Sequence, residues 1–360
     1  MHIPENYLRP QTCAVMGAIM LPIWYKAVKE VEIKVKEDKE AVPMMGMMTS
    51  LSFLMMMFNL PAPGGTTAHA VGAVLIAILM GPWTATLSVS IALAIQAFLF
   101  GDGGILAFGA NCFTMAFVMP FTGYAVYRLL SRFHYKKLGA FLGGYVGINL
   151  AALTVAILLG IQPILFQDSS GNPLYNPYPL SVTIPAMMLT HLLIGLVEGA
   201  FTVGVVSFVE KSQNKTAAAS SAGKKKTLKW LLALIAFLIL CVPLGLLASG
   251  TAFAEWDVTE IVENLSHYHL KAVSPKGMLS GFNFNAIMPD YTIQGLPDPI
   301  AYILCAASAV VVFFILYKVL FGTPLVKSSA TSSLITRVPE VKLFGLAQTK
   351  YLRFYTCEVV

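Results

Sequence analysis

The chain begins Met1-His2, and such a pair can wrap a metal ion with three nitrogens from two residues. The α-amino nitrogen, the backbone nitrogen of His2 and its imidazole Nδ1 would close two fused chelate rings. Binding through a deprotonated amide favours Ni(II) or Cu(II) in a planar field, which one further nitrogen completes. Histidine is a large second residue, so the initiator methionine is expected to stay and to supply that amine. His69 is the natural fourth donor. It closes a stretch in which Pro61, Pro63, Gly64 and Gly65 break helical structure and let the backbone turn inward. Asn59, Thr66 and Thr67 could orient the imidazole or its neighbours by hydrogen bonding. Each feature alone has an ordinary explanation, a coincidental second residue or a solvated loop histidine. Their combination points to a metal.

Other residues carry weaker signals. His191 and Glu198 lie seven apart in THLLIGLVEG and share a helix face, as a buried pair, a metal relay or a packing hydrogen bond between helices. Asp102 in GDGG reads as the cap of a turn between apolar runs. His134 reads as solvated, and His267 with His269 as solvated or as loosely attracting metal. The five cysteines lack CxxC spacing and suggest neither a disulfide framework nor a zinc site. The chain contains no GxxxxGK[ST], HExxH or G-x-S-x-G, which argues against its own ATP hydrolysis and against common hydrolase chemistry.

The elements that must position these residues are membrane helices. Of 360 residues, 57% are hydrophobic and 12% charged, and mean hydropathy is +0.72, against the roughly 25% charged residues of soluble domains. Apolar runs near 11–28, 43–60, 69–81, 83–100, 104–127, 138–162 and 182–209, then 229–249 and 299–320, predict an all-α polytopic membrane protein. The run 69–81 is short for a span, so it must tilt, be buried by neighbours or extend across Gly81-Pro82. An outside N-terminus puts 21 of the 24 Lys and Arg residues on the cytoplasmic side, all but Arg9, Lys271 and Lys276. The net charge of +6 therefore reads as membrane orientation rather than nucleic-acid binding. A basic linker at 211–228 divides a seven-span module, 1–210, from a two-span module, 229–322. The second module holds an external, acidic and aromatic segment at 250–298, and a cytoplasmic tail follows at 323–360.

MHIPENYLRPQTC, FNLPAPGGTTAHAVGAVLIAILMGPW, FGDGGILAFGANCFTMAF and THLLIGLVEG, in that order, resemble the signature segments of the nickel/cobalt substrate-binding membrane component of energy-coupling factor transporters, the CbiM/NikM family. LLASGTAFAEW and MPDYTIQG resemble the small N-type accessory component, here fused. The resemblance implies metal ligation by Met1, His2 and His69. It also implies a partnership with a transmembrane coupling (T-type) protein and two cytoplasmic ATP-binding subunits, in a cell membrane, for uptake of Ni2+ or Co2+ as transported substrate. A cobalt-specific component serving cobalamin synthesis is the nearest alternative. An intramembrane metalloenzyme or a scaffold subunit is more remote: four nitrogens would fill a square plane, leaving no open position for catalysis. The expected protein is therefore not an enzyme. The tail after 322 matches nothing in the family.

Overall fold

The computed structural model describes residues 1–321 except Lys39, Gly64, Gly65, 215–220 and Ser249, with backbone alone over 212–214 and 221–227. Two of the four predicted helix-breakers and the predicted tail thus lie outside the described residues. The first half runs α1 (Pro10–Glu37), α2 (Ala41–Met57), a hairpin of β1 (Leu60–Ala62) and β2 (Thr66–Ala68), α3 (Ala73–Met80) and α4 (Pro82–Ile95). Helix α5 (Phe108–Asn111) continues through a π-helical stretch, Cys112–Val118, into α6 (Met119–Arg132). There follow α7 (Lys136–Gly160), α8 (Gln162–Leu165) and α9 (Leu180–Asn214). The remaining elements are α10 (Ser221–Cys241), α11 (Val258–His267), α12 (Lys276–Leu279) and α13 (Asp298–Phe321).

Among the described residues, five helical stretches are long and apolar enough to cross a membrane: 82–100, 136–165, 180–211, 228–247 and 298–321. This agrees with a helical, multi-pass membrane protein. The run 69–81 differs from a span. Its helical part, α3, has eight residues, about 12 Å of rise, far short of a hydrocarbon core of roughly 30 Å. Gly81, at φ 90°, ends α3 in a backbone conformation that a side chain would resist. The first four residues of the run form a non-helical turn that brings His69 to the site. Within the predicted linker, α9 extends to Asn214 and α10 begins at Ser221; residues 215–220 of it lie outside the described residues.

Helix α2 lies at the centre and is buried almost all round, as a helix with no polar face requires. Its methionines fill this interior, where a flexible unbranched side chain adapts to irregular gaps. Helices α10 and α13 pack on α2, and the Thr49 hydroxyl meets Tyr317 Oη at 2.9 Å. On the other flank α7 and α9 approach closely through small residues. A Cβ on Gly199 would stand 2.7 Å from the Phe141 carbonyl oxygen, so this contact depends on glycine.

The segment 250–298 begins with a reciprocal cap. Asp257 Oδ1 accepts from the Glu260 amide at 2.8 Å, and Glu260 Oε2 accepts from the Asp257 amide at 3.1 Å. These bonds start α11 by satisfying otherwise unpaired helix donors. Further on, Asp290 and Tyr291 adopt left-handed conformations, φ 51° and 59°. That turn drives the Tyr291 ring onto Phe100, with centroids 4.6 Å apart.

Candidate metal centre

The first three residues are buried in the interior rather than trailing from it, with Met1 2%, His2 3% and Ile3 0% exposed. Their backbone is held like an added strand. Asn111 Oδ1 accepts from the Ile3 amide at 2.8 Å, and Asn111 Nδ2 donates to the Ile3 carbonyl at 3.0 Å. The Gly104 amide donates to the same carbonyl at 2.9 Å. A Cβ on Gly104 would stand 2.9 Å from the Glu5 nitrogen, so this approach requires glycine. Glu5 Oε1 accepts from the amides of Ile105 and Leu106, and Tyr7 Oη donates to the Trp256 carbonyl at 2.7 Å.

This anchoring brings the predicted donors together. The Met1 amine lies 3.1 Å from His69 Nε2. His69 Nδ1 lies 3.2 Å from the Ala70 carbonyl, an arrangement that assigns the ring proton to Nδ1 and turns the Nε2 lone pair towards the amine. The His2 and His69 rings stack at 4.9 Å. Burial, the Met1 ammonium and His2 together hold the His69 imidazole well below its ordinary pKa, so it is neutral and able to ligate.

Two carboxylates that sequence reading left out complete the constellation. Glu255 Oε1 lies 3.1 Å from the His2 amide nitrogen and 3.3 Å from the Met1 amine. One ligand atom each from His2, His69 and Glu255 lies within 4.8 Å of the others. Asp102, read as a turn cap, instead places Oδ1 3.1 Å from His2 Nδ1. Its Oδ2 accepts from Tyr291 Oη at 2.6 Å and from Gln96 Nε2 at 3.1 Å. Burial opposes ionisation of Asp102, but the His2 charge and the bonds from His2 and Tyr291 outweigh it and hold the carboxyl well below its usual range. His2 Nε2 is buried without a hydrogen-bond partner among the described residues. His2, His69, Asp102, Glu255 and Tyr291 border a cavity of about 290 Å³, which Asn59 also lines.

Asn59 therefore reaches the site. The hydroxyl of Thr66 faces away, donating to the Thr251 carbonyl at 3.0 Å, while Thr67 is buried in β2 opposite Pro61. The imidazole of His69 takes its orientation from the Ala70 carbonyl and Met1 rather than from either threonine. His191 and Glu198 do not pair. His191 Nδ1 lies 2.8 Å from the Met187 carbonyl. The Glu198 carboxylate accepts from the Val71 amide at 2.8 Å and the Gly72 amide at 3.0 Å. Those amides precede α3, so Glu198 caps that helix and fixes the turn carrying His69, a helix N-terminus being a favourable place for an anion.

Fold and site together define a multi-pass helical membrane protein with a buried, nitrogen-rich cluster of candidate metal donors around Met1, His2 and His69. Residues 2–216 match the model of the cobalt uptake substrate-specific transmembrane region, CbiM, and residues 227–323 match the PDGLE domain. The chain belongs to the CbiM family and carries a fused N-type component. It is 50% identical over 319 residues to the probable fused nickel transport protein LarMN of Lactiplantibacillus plantarum, covering 88% of this chain and 97% of that one. It is 41% identical to the fused nickel transport protein NikMN of Rhodobacter capsulatus, covering 85% of this chain and 93% of the other. A crystal structure of a truncated transition metal transporter is 55% identical and superposes with a TM-score of 0.55, covering 59% of this chain and 99% of that one.

Proposed function

We propose that the chain is the substrate-capture subunit of an energy-coupling factor transporter for Ni2+ or Co2+, and that it takes the ion from outside through the Met1 amine, the His2 amide and imidazole, and His69. The observation that carries this reading is the 3.1 Å approach of the Met1 amine to His69 Nε2, 68 residues away in sequence. Two nitrogens bonded to one ion at about 2 Å each, at a right angle, stand roughly 3 Å apart. The structure has Nδ1 of His2 towards Asp102. Turning the imidazole about Cβ–Cγ would present Nδ1 to the amine and amide, leaving Nε2–H as a donor for a neighbouring acceptor. A metal-ligating histidine is commonly held in this way through its other ring nitrogen.

The relatives named as fused nickel transport proteins support nickel as cargo, and the family description supports cobalt. The chain has no ATP-binding loop of its own, which fits a transmembrane coupling protein and two cytoplasmic ATP-binding subunits as partners. It also fits division into a capture module, 1–210, a linker, and an accessory module, 229–322. The metal is substrate here, so tight closure of the plane serves capture.

The test is an optical and magnetic spectrum of the nickel-loaded protein at neutral pH. Four planar nitrogens pair the electrons of d8 Ni(II), giving a yellow, diamagnetic complex. A paramagnetic six-coordinate signature would instead favour a set drawn from His2, His69 and Glu255. One alanine added before Met1, verified by mass spectrometry, removes the free amine at that position and should abolish binding. Normal nickel uptake by that variant would overturn the site.

A further inference from the structure

The sequence reading gave the segment 250–298 no role, yet it sends one carboxylate to the two nitrogens on which the chelate depends. Glu255 Oε1 lies 3.1 Å from the His2 amide nitrogen and 3.3 Å from the Met1 amine. When a backbone amide loses its proton, the lone pair points where the N–H had pointed. A metal bonded there sits at about 2 Å from nitrogen, on the line that leads to Oε1. That leaves only about 1 Å between the ion and the present place of the oxygen, less than any metal–oxygen bond. The carboxylate and the chelated ion therefore exclude each other, and Glu255 must move aside as the chelate forms.

Its position also decides the order of events. The Glu255 side chain is 22% exposed, whereas the side chains of Met1 and His2 are 0% and 2% exposed. An ion entering from solvent meets the carboxylate before it meets the nitrogens.

We propose that Glu255, supplied by the accessory module, is the entry ligand. It takes the hydrated divalent ion first, and the ion then exchanges the carboxylate oxygen for the amine and amide nitrogens, whose protons pass to water. The accessory module thereby acts on the rate of loading and leaves the final complex unchanged. This inference rests on the nitrogen-donor reading above.

The experiment is rapid mixing of NiCl2 with the full chain in detergent, at fixed salt and pH, following the absorption of the planar complex. Release is followed separately by chase with excess chelator. An entry ligand is shared by the forward and reverse paths, so Glu255→Gln should slow loading and release alike, tenfold or more. Equilibrium affinity should not weaken, because the carboxylate that the ion must displace is gone, and the final spectrum should be unaltered. Glu263→Gln removes an exposed carboxylate of the same segment away from the cavity and should change loading less than twofold. An unchanged loading rate in Glu255→Gln, an altered final spectrum, or equal slowing by Glu263→Gln each overturns the proposal. A native chain that never develops the planar-complex band overturns the nitrogen-donor reading itself.

Discussion

Replacing Asp102 by asparagine keeps its size and hydrogen-bonding oxygen but removes its charge. With the His2 ring between them, the carboxylate and a bound ion would stand roughly 6 Å apart, summing one hydrogen bond, the ring and one metal bond. A divalent ion that has displaced one amide proton leaves a net charge near +1. At an effective dielectric of about 20, that pair attracts by about 3 kcal/mol, close to a hundredfold in affinity at about 1.4 kcal/mol per decade. Outer partners of metal-bound histidines are worth about 10- to 100-fold in affinity, so the two routes agree. Asp102→Asn should therefore weaken nickel binding by about 10- to 100-fold, read by competition against a chromophoric chelator. Tyr291→Phe removes one bond to Asp102 Oδ2 but leaves the charge, and should change affinity by less than about threefold. If Asp102→Asn binds within twofold of the native protein at unchanged thermal stability, the carboxylate does not support the site.

Glu198→Leu leaves the buried Val71 and Gly72 amides without their acceptor, at about 1–3 kcal/mol each; thermal unfolding in detergent should fall sharply, whereas Glu198→Gln, which keeps an acceptor, should lose less. Cysteine at Ser169 or Glu263 should react with an impermeant reagent from outside intact cells and one at Lys136 should not; equal labelling of all three would refute the proposed orientation. Because His69 is held neutral, with its pKa well below the ordinary value, it has no proton to give up near pH 7, whereas the amine and the amide must each release one to ligate. Nickel affinity should then fall as pH falls, with at least two protons released per ion. Calorimetry in two buffers of different ionisation heat reads this number, and a value near zero would refute amide ligation.

Much of this protein was written locally. Long apolar runs between charged or Pro/Gly breaks force helices, because lipid offers backbone groups no other partner. Met1, His2 and His69 stood out as candidate donors because each sits in a context with its own short-range signal: a Met-His pair, or a loop dense in proline and glycine. The run 69–81 was too short for a span and left three readings open, because hydropathy measures apolar content and not direction; burial by neighbouring protein is the one the fold takes at α3.

The rest of the site has no local signature. Asp102 looks like any turn aspartate, and its partner His2 is 100 positions away. Asn111 grips Ile3 across 108 positions, and Glu255 reaches His2 across 253. A carboxylate on a turn, or an asparagine inside an apolar run, takes its meaning from whatever group it faces. Residue type and spacing determined the helices and singled out Met1, His2 and His69 as candidate donors. Which acids and amides face those donors was decided only when distant helices packed, since buried polar groups must find partners wherever folding leaves them.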